Sequence, residues 1–296
     1  MQQIDLLYRI ITIIFPVFSI VAVGYLYSRN RRPDMSAGNR INMDVFVPAL
    51  IFDIMSGSDF SLLSYASLAG AGCLVILGSG LLAWPIGRGL GYQWKTFVPP
   101  MMFTNSGNMG VPVILLAFGE QALPAAVVLF ALENFLHFTL GQRMVNPRSS
   151  LLTIGKNPMV IATLAGITLS ILGLNLPEMI RVPIHMMGQV AIPLMLFSLG
   201  VRLTGIDFRD WKIGLAGALI CPLSGLVIAL LILPFLALSK EQIPILMLFS
   251  VLPPAVLNYM VAEHYDQQPR LVASIVLIGN LGSLITIPLI LWFVLQ

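Results

Sequence analysis

Apolar residues in this chain run in long blocks of about 20, divided by short polar stretches that hold most of the Arg and Lys. Blocks of that length carry an α-helix across about 30 Å of hydrocarbon. Inside lipid every backbone N–H and C=O must be satisfied within its own segment, so the blocks are predicted helices. The alternation of a membrane barrel is absent from them. They lie at 7–28, 41–56, 67–86, 97–119 and 121–145, and again at 157–174, 184–201, 213–236, 243–262 and 271–295. This reads as an all-α membrane protein of about ten transmembrane helices. The second and seventh blocks are short, and the fourth and fifth merge near 119–121. The first block is too long for a signal-peptide core and lacks a basic leader and a small-residue cleavage site, so it is expected to be a retained span.

Composition narrows the class. The chain is 57% hydrophobic and 10% charged, with a mean hydropathy of +0.91, where an ordinary soluble domain carries about 25% charge. The net charge of +3 would suit a nucleic-acid partner only if the basic residues clustered on one soluble face. They sit instead in short loops between spans, so the bilayer is the expected partner and nucleic acid is not. Cys73 and Cys221 lie inside apolar blocks and act as small hydrophobes rather than as a disulfide.

The basic residues also orient the chain. Alternate loops hold Arg29, Arg31, Arg32 and Arg40; Arg88 and Lys95; Arg143, Arg148 and Lys156; Arg202, Arg209 and Lys212; and Arg270. The other side holds only Arg9, Arg181 and Lys240. The rich side is expected in the cytoplasm, with both termini outside it. Five spans per half is an odd number, so two similar halves must insert in opposite directions, as an inverted repeat. The halves are 1–145 and 157–296, joined by a short cytoplasmic linker, 146–156. Pro48 and Pro193, Asn134 and Asn280, and Pro112 and Pro254 recur at a nearly common spacing between them.

Two segments carry the chemistry. Asn105-Ser106-Gly107-Asn108-Met109-Gly110-Val111-Pro112 occupies the middle of the fourth block. Gly and Pro weaken a helix there, and two amides in hydrocarbon are costly unless they face protein, water or ligand. A tight packing face would explain the glycines but not both asparagines. Leu252-Pro253-Pro254-Ala255-Val256-Leu257-Asn258-Tyr259 interrupts the ninth block; consecutive prolines make a kink at the least. Breaks in corresponding spans of both halves point to a transporter site, where freed amides and half-helix dipoles meet an ion or anion.

Other polar residues lie within spans. Glu133, Asn134 and His137 are on the fifth, with Glu133 and His137 at i, i+4 spacing. They read equally as a proton or substrate site or as a self-satisfying buried pair. Asn280 and Ser283 on the tenth are one turn apart, although Ser283 suits back-bonding to its own helix. Asp44 is expected to pair with Arg40 at an interface, Asp53 to lie near the outer interface, and His185 to be structural without an obvious partner.

At these motifs, together with Asn42 and Pro48-Ala49 in the second span and Asn157-Pro158 opening the sixth, the chain resembles the auxin efflux carrier family of membrane transporters, in its bacterial branch. The resemblance covers nearly the whole chain. It implies two inverted five-helix repeats with broken fourth and ninth helices crossing, a fold similar to bile-acid sodium symporters. It implies a scaffold from spans 1, 2, 6 and 7, a transport domain from spans 3–5 and 8–10, a homodimer, and elevator-type movement. The crossing prolines map to Pro112 and to Pro253 or Pro254, and substrate contacts to Asn105 and Asn134. With Asn108, Asn258 and Asn280, these make up the expected substrate-binding set. Substrates would be small organic anions such as malate, malonate or an auxin-like acid, carried across a bacterial inner membrane with H⁺ or Na⁺ as the possible coupling ion. The short linker departs from the plant carriers, which have a long central loop, and so disfavours auxin itself.

The competing classes are a sodium-coupled symporter of related fold and a non-transporting membrane sensor. No paired-His zinc motif or Ser–His arrangement suggests an enzyme, no metal or cofactor site is expected, and no phosphate-cradling loop ending in Lys-Ser or Lys-Thr suggests ATP-driven pumping.

Overall fold

A computed structural model of the chain describes residues 2–57, 60–149, 151–205 and 208–296; Ser150, inside the expected linker, lies outside them. Among these residues the regular structure is helical and contains no strand. The helices are α1 (Gln2–Arg31), α2 (Ser36–Ile41), α3 (Val47–Met55), α4 (Leu62–Gly89), α5 (Trp94–Met102), α6 (Val111–Phe118), α7 (Leu123–Leu136) and α8 (Gln142–Val145) in the first half. The second half contributes α9 (Pro158–Leu172), α10 (Glu178–Leu203), α11 (Trp211–Ile232), α12 (Gln242–Ser250), α13 (Val256–His264) and α14 (Pro269–Val294).

Local chemistry sets many of the boundaries. Asn157 caps α9, its side-chain oxygen accepting from the Met159 N–H at 2.9 Å, and Pro158 follows at the position where no donor is needed. Gly173, at φ 63°, ends the same helix, and Leu174 N–H returns to the Leu169 carbonyl. Gly119, at φ 84°, divides α6 from α7 where the sequence alone left the boundary open. Wider π-type turns at Asn42–Phe46, Ser106–Gly110 and His137–Gly141 interrupt three of the helical runs.

Among the described residues six stretches are long and apolar enough to cross a membrane: Gln3–Arg31, Leu62–Gly89, Glu120–Val145, Glu178–Leu203, Trp211–Phe235 and Pro269–Val294. The expected second, fourth and ninth blocks are divided into shorter helices, and α9 has 15 residues. The seventh block, expected to be short, is longer than predicted: α10 runs unbroken for 26 residues through Pro183 and Pro193. Pro48, its counterpart by spacing, instead follows the π turn at the start of α3.

Polar contacts sort the turns into two ends. Ser28 meets Thr204 at 3.0 Å, Arg270 pairs with Asp210 at 2.6 Å, Thr96 donates to Gln268 at 2.6 Å, and Lys95 donates to the Val145 carbonyl at 3.3 Å. These bonds tie the Arg- and Lys-rich turns together at one end. At the other end Ser170 donates to the Phe60 carbonyl at 2.7 Å and Gln242 to the Ser64 carbonyl at 2.8 Å. His185 corrects its expectation there, because its Nδ1 lies 2.7 Å from Asp53 Oδ2. The expected Arg40–Asp44 pair does not form; Asp44 sits exposed in the first π turn.

Helices α1, α3, α9 and α10 pack on one another, and α4, α5, α7, α11 and α14 form a second set of mutual contacts. The α1–α10 seam is a direct backbone approach. A Cβ on Gly200 would stand 1.9 Å from the Val21 carbonyl oxygen, and one on Gly24 would stand 2.2 Å from that of Phe197. Small residues that allow such approach are the usual means of joining helices in lipid. Gly200→Ala should therefore lower stability by about 1–3 kcal/mol, since backbone rather than a movable side chain must give way. Gly70→Ala, which meets nothing within 4 Å, should leave stability unchanged or slightly raised. Thermal unfolding in detergent reads both, and equal midpoints would show that the seam tolerates expansion.

Candidate functional site

Both broken helices stop for identifiable reasons. In the second half Pro253 and Pro254 cannot donate to α12, and each pushes the residue before it toward extended geometry, so α12 ends at Ser250. Ala255 is extended, and α13 starts at Val256. In the first half α5 carries Pro99 and Pro100 and ends at Met102, with Phe103 extended at φ −102°, ψ 111°. Asn105 adopts φ −83°, ψ 51° before the π turn at 106–110. Pro112 lies past the break, in the first turn of α6. It begins a helix rather than interrupting one.

The two breaks satisfy each other. Thr104 and Pro254 form an isolated antiparallel bridge. Asn105 N–H donates to the Pro253 carbonyl at 2.6 Å, and Ala255 N–H donates to the Phe103 carbonyl at 2.9 Å. Four peptide groups that their own helices leave unpaired are thus closed across the two halves.

Amide side chains complete the junction. Asn105 Nδ2 donates to Asn280 Oδ1 at 2.7 Å, and Asn280 Nδ2 donates to the Pro254 carbonyl at 3.0 Å and the Val276 carbonyl at 2.8 Å. Asn258 Nδ2 donates to the Phe103 carbonyl at 2.8 Å and the Ala255 carbonyl at 3.1 Å. All three asparagines are 3% exposed. Asn258 Oδ1 is buried without a partner, an acceptor left over at the centre of the junction. Glu133 closes the first break: its carboxylate accepts from the Thr104 N–H and, at 3.2 Å, from the Thr104 hydroxyl.

The remaining sequence candidates are placed differently. His137 is buried and stacks on the Phe103 ring at 4.2 Å and 9°. It takes a different partner from Glu133, and no ion pair joins the two. Asn134 is half-buried and spends its amide on the Phe130 carbonyl of its own helix at 2.8 Å. Asn108 is half-buried in the π turn and makes none of the junction bonds. Ser283 back-bonds to the Asn280 carbonyl at 2.6 Å. Asn42 opens the first π turn with its Oδ1 unpartnered. Thr104 is the residue that the sequence did not single out. Its only signal was a short polar side chain directly before Asn105.

Space around the junction is unequal. On the side of the Arg-rich end lies a void of about 10 Å³ lined by Lys95, His137, Gly141 and Asn258, roughly one water probe sphere. Toward the opposite end a cleft of about 840 Å³ opens between Arg9 of α1, Ala122 just before α7, Ala125 within it, and Gln242 and Ile245 of α12.

The sequence profile of the family described as "Membrane transport protein" matches residues 9–156 and 148–291. A Rhizobium meliloti protein named "Putative malonate transporter" is 25% identical, over 95% of each chain. An "Uncharacterized transporter" of Methanothermobacter thermautotrophicus is 27% identical over 93% of this chain and 95% of its own. "Auxin efflux carrier component 8" of Arabidopsis thaliana is 22% identical over 95% of this chain and 96% of its own.

Removing Asn280 leaves the Asn105 amide and the Pro254 carbonyl each short of a bond while buried. Asn280→Ala should therefore cost about 1–3 kcal/mol for each group left unpaired. Asn134→Ala, which loses only a bond within its own turn, should stay within about 0.5 kcal/mol of the parent. Chemical unfolding in detergent micelles compares the two, and a loss in Asn134→Ala equal to that in Asn280→Ala would contradict the network.

Proposed function

Because the chain belongs to the auxin efflux carrier family of membrane transport proteins, a multi-pass membrane protein that moves solute across a bilayer, we propose that it is a secondary transporter of a small organic anion. The observation that carries this reading is the junction itself. Two mid-helix breaks from opposite halves meet, and their peptides and three buried asparagines converge on one point. Asn258 Oδ1 is the unpaired atom at that point. Because that oxygen is an acceptor, an anion would sit beside it at the half-helix N-termini of α6 and α13, with a hydroxyl or protonated carboxyl of the ligand donating to Asn258 Oδ1. The name of the Rhizobium meliloti relative points to malonate, and a small mono- or dicarboxylate fits that donor chemistry.

The finer architecture is part of the same proposal. The full reading is ten spans in two inverted repeats, with the broken fourth and ninth helices crossing at Thr104 and Pro254. The Arg-rich end faces the cytoplasm of a bacterial inner membrane, with both termini outside. Helices α1, α3, α9 and α10 form a dimeric scaffold, and the remainder moves against it in an elevator cycle. The closer packing within each set than between α1, α3 or α9 and the α4, α7 and α14 helices they touch, and the open cleft on one side of the junction, support that cycle. Purified protein should bind malonate more tightly than malonamide, its neutral isostere, and Asn105→Ala or Asn258→Ala should weaken binding about five- to 150-fold without unfolding, one lost polar contact being worth about 1–3 kcal/mol. Equal affinity for acid and amide would remove the anion reading; unchanged binding in both variants would move the site elsewhere.

Coupling follows from Glu133. Its two oxygens hold the Thr104 N–H and hydroxyl at the first break, so a proton on this carboxyl takes away acceptor capacity where the helix opens. A proton is therefore the coupling ion that the geometry favours over sodium. In proteoliposomes, an imposed pH gradient should drive malonate accumulation by the parent protein and not by Glu133→Gln. An identical response from both would make Glu133 a structural clasp and shift coupling to another ion.

A further inference from the structure

Arg9 stands in an apolar stretch, between Leu6, Leu7, Ile10 and Ile11, two turns into α1. An ionisable side chain at such a place is costly unless it faces water or an opposite charge. Asp5 lies one turn earlier, yet no ion pair joins the two, and among the described residues Arg9 has no hydrogen-bond or ionic partner. What Arg9 does face is the 840 Å³ cleft at the end of the bundle that carries the N-terminus.

The other polar groups of that cleft are largely engaged. Gln121 gives its amide to the Phe118 carbonyl. Gln242 gives its amide to the Ser64 carbonyl at 2.8 Å and accepts from the Ser239 N–H at 3.3 Å. The Glu241 carboxyl is held below its usual range, first by the Ser239 hydroxyl, and stays ionised. One uncommitted cation therefore serves a large opening. The cleft also leads to the junction. Ile245 lies five residues before Ser250, the end of α12, and Ala125 eight residues before Glu133 along α7, or about 8 and 12 Å at 1.5 Å per residue.

We infer that this cleft is an anion-collecting vestibule and that Arg9 is its capture residue, pairing with one carboxylate of the substrate before the substrate reaches the junction. The inference builds on the organic-anion reading given above and adds a second, weaker site to it. A guanidinium fork matches a carboxylate bidentately, and a charged cleft with low-dielectric walls raises the local concentration of the opposite charge. Glu241 on the wall opposes a second negative charge, which keeps the stay short. Capture that is tight enough to collect and loose enough to release is what a transport path requires.

The test separates this inference from the transport reading. Ala237, exposed in the cleft, is changed to Cys in a Cys73→Ala background; Cys221 is buried. Purified protein is then modified with an anionic and a cationic methanethiosulfonate reagent. With Arg9 present the anionic reagent should be favoured, and Arg9→Gln should lower the anionic-to-cationic rate ratio about tenfold, with Arg9→Lys restoring most of it. A ratio unchanged by Arg9→Gln overturns the inference, whatever the protein transports. Malonate binding supplies the second readout. Arg9→Gln should slow malonate association several-fold and flatten its salt dependence, whereas Asn105→Ala should weaken equilibrium binding without changing that salt dependence. Should malonate fail to bind the parent protein while the reagent ratio still depends on Arg9, the carboxylate reading falls and the anion-collecting cleft stands.

Discussion

A peptide group opened inside an apolar interior has to find a partner, and that constraint organises this protein. Proline at 253 and 254 and the irregular turn after Met102 each free backbone donors and acceptors where no water is expected to reach them. The structure answers with a two-residue antiparallel exchange between the breaks. Four polar side chains serve it: Asn280 bridges Asn105 to Pro254, Asn258 spans Phe103 and Ala255, and Glu133 holds Thr104. The glycines nearby are there for room. A Cβ on Gly279 would stand 2.6 Å from Pro254 Cδ, and one on Gly110 2.7 Å from a Leu252 methyl.

Much of this was legible in the chain because polar residues are scarce within apolar blocks. Asn105, Asn258, Asn280, Glu133 and the proline pair stand out against hydrocarbon, and the structure brings all of them to one point. The resemblance maps the first crossing to Pro112, which lies in the first turn of α6 past the break, and in sequence a proline that starts a helix looks like one that breaks it. The resemblance gives Asn134 a substrate contact, yet its amide is satisfied within its own turn. The pairing of His185 with Asp53 joins residues 132 positions apart, and no local pattern reports such a contact. Thr104 went unnoticed because its backbone, which any residue supplies, does half of its work.

The unpaired oxygen of Asn258 and the uncommitted guanidinium of Arg9 differ in kind. The first is a buried acceptor without a donor and suits a ligand stripped of water that brings one. The second is exposed beside a wide opening and suits one still hydrated. Together they describe a path that removes solvent in stages rather than at once, with the steepest part next to Glu133.

The exchange between the breaks also bears on how the chain is made. Residues 103–105 leave the ribosome roughly 150 residues before their partners at 253–255. Through that interval the first half can hold the Thr104 N–H with Glu133, but the Phe103 carbonyl and the Asn105 N–H still await the second half. Biogenesis is then a waiting problem, in which the early half depends on water, lipid headgroups or an insertase until its counterpart arrives. Neither half is a complete folding unit, and the two become one only when the last amides are shared.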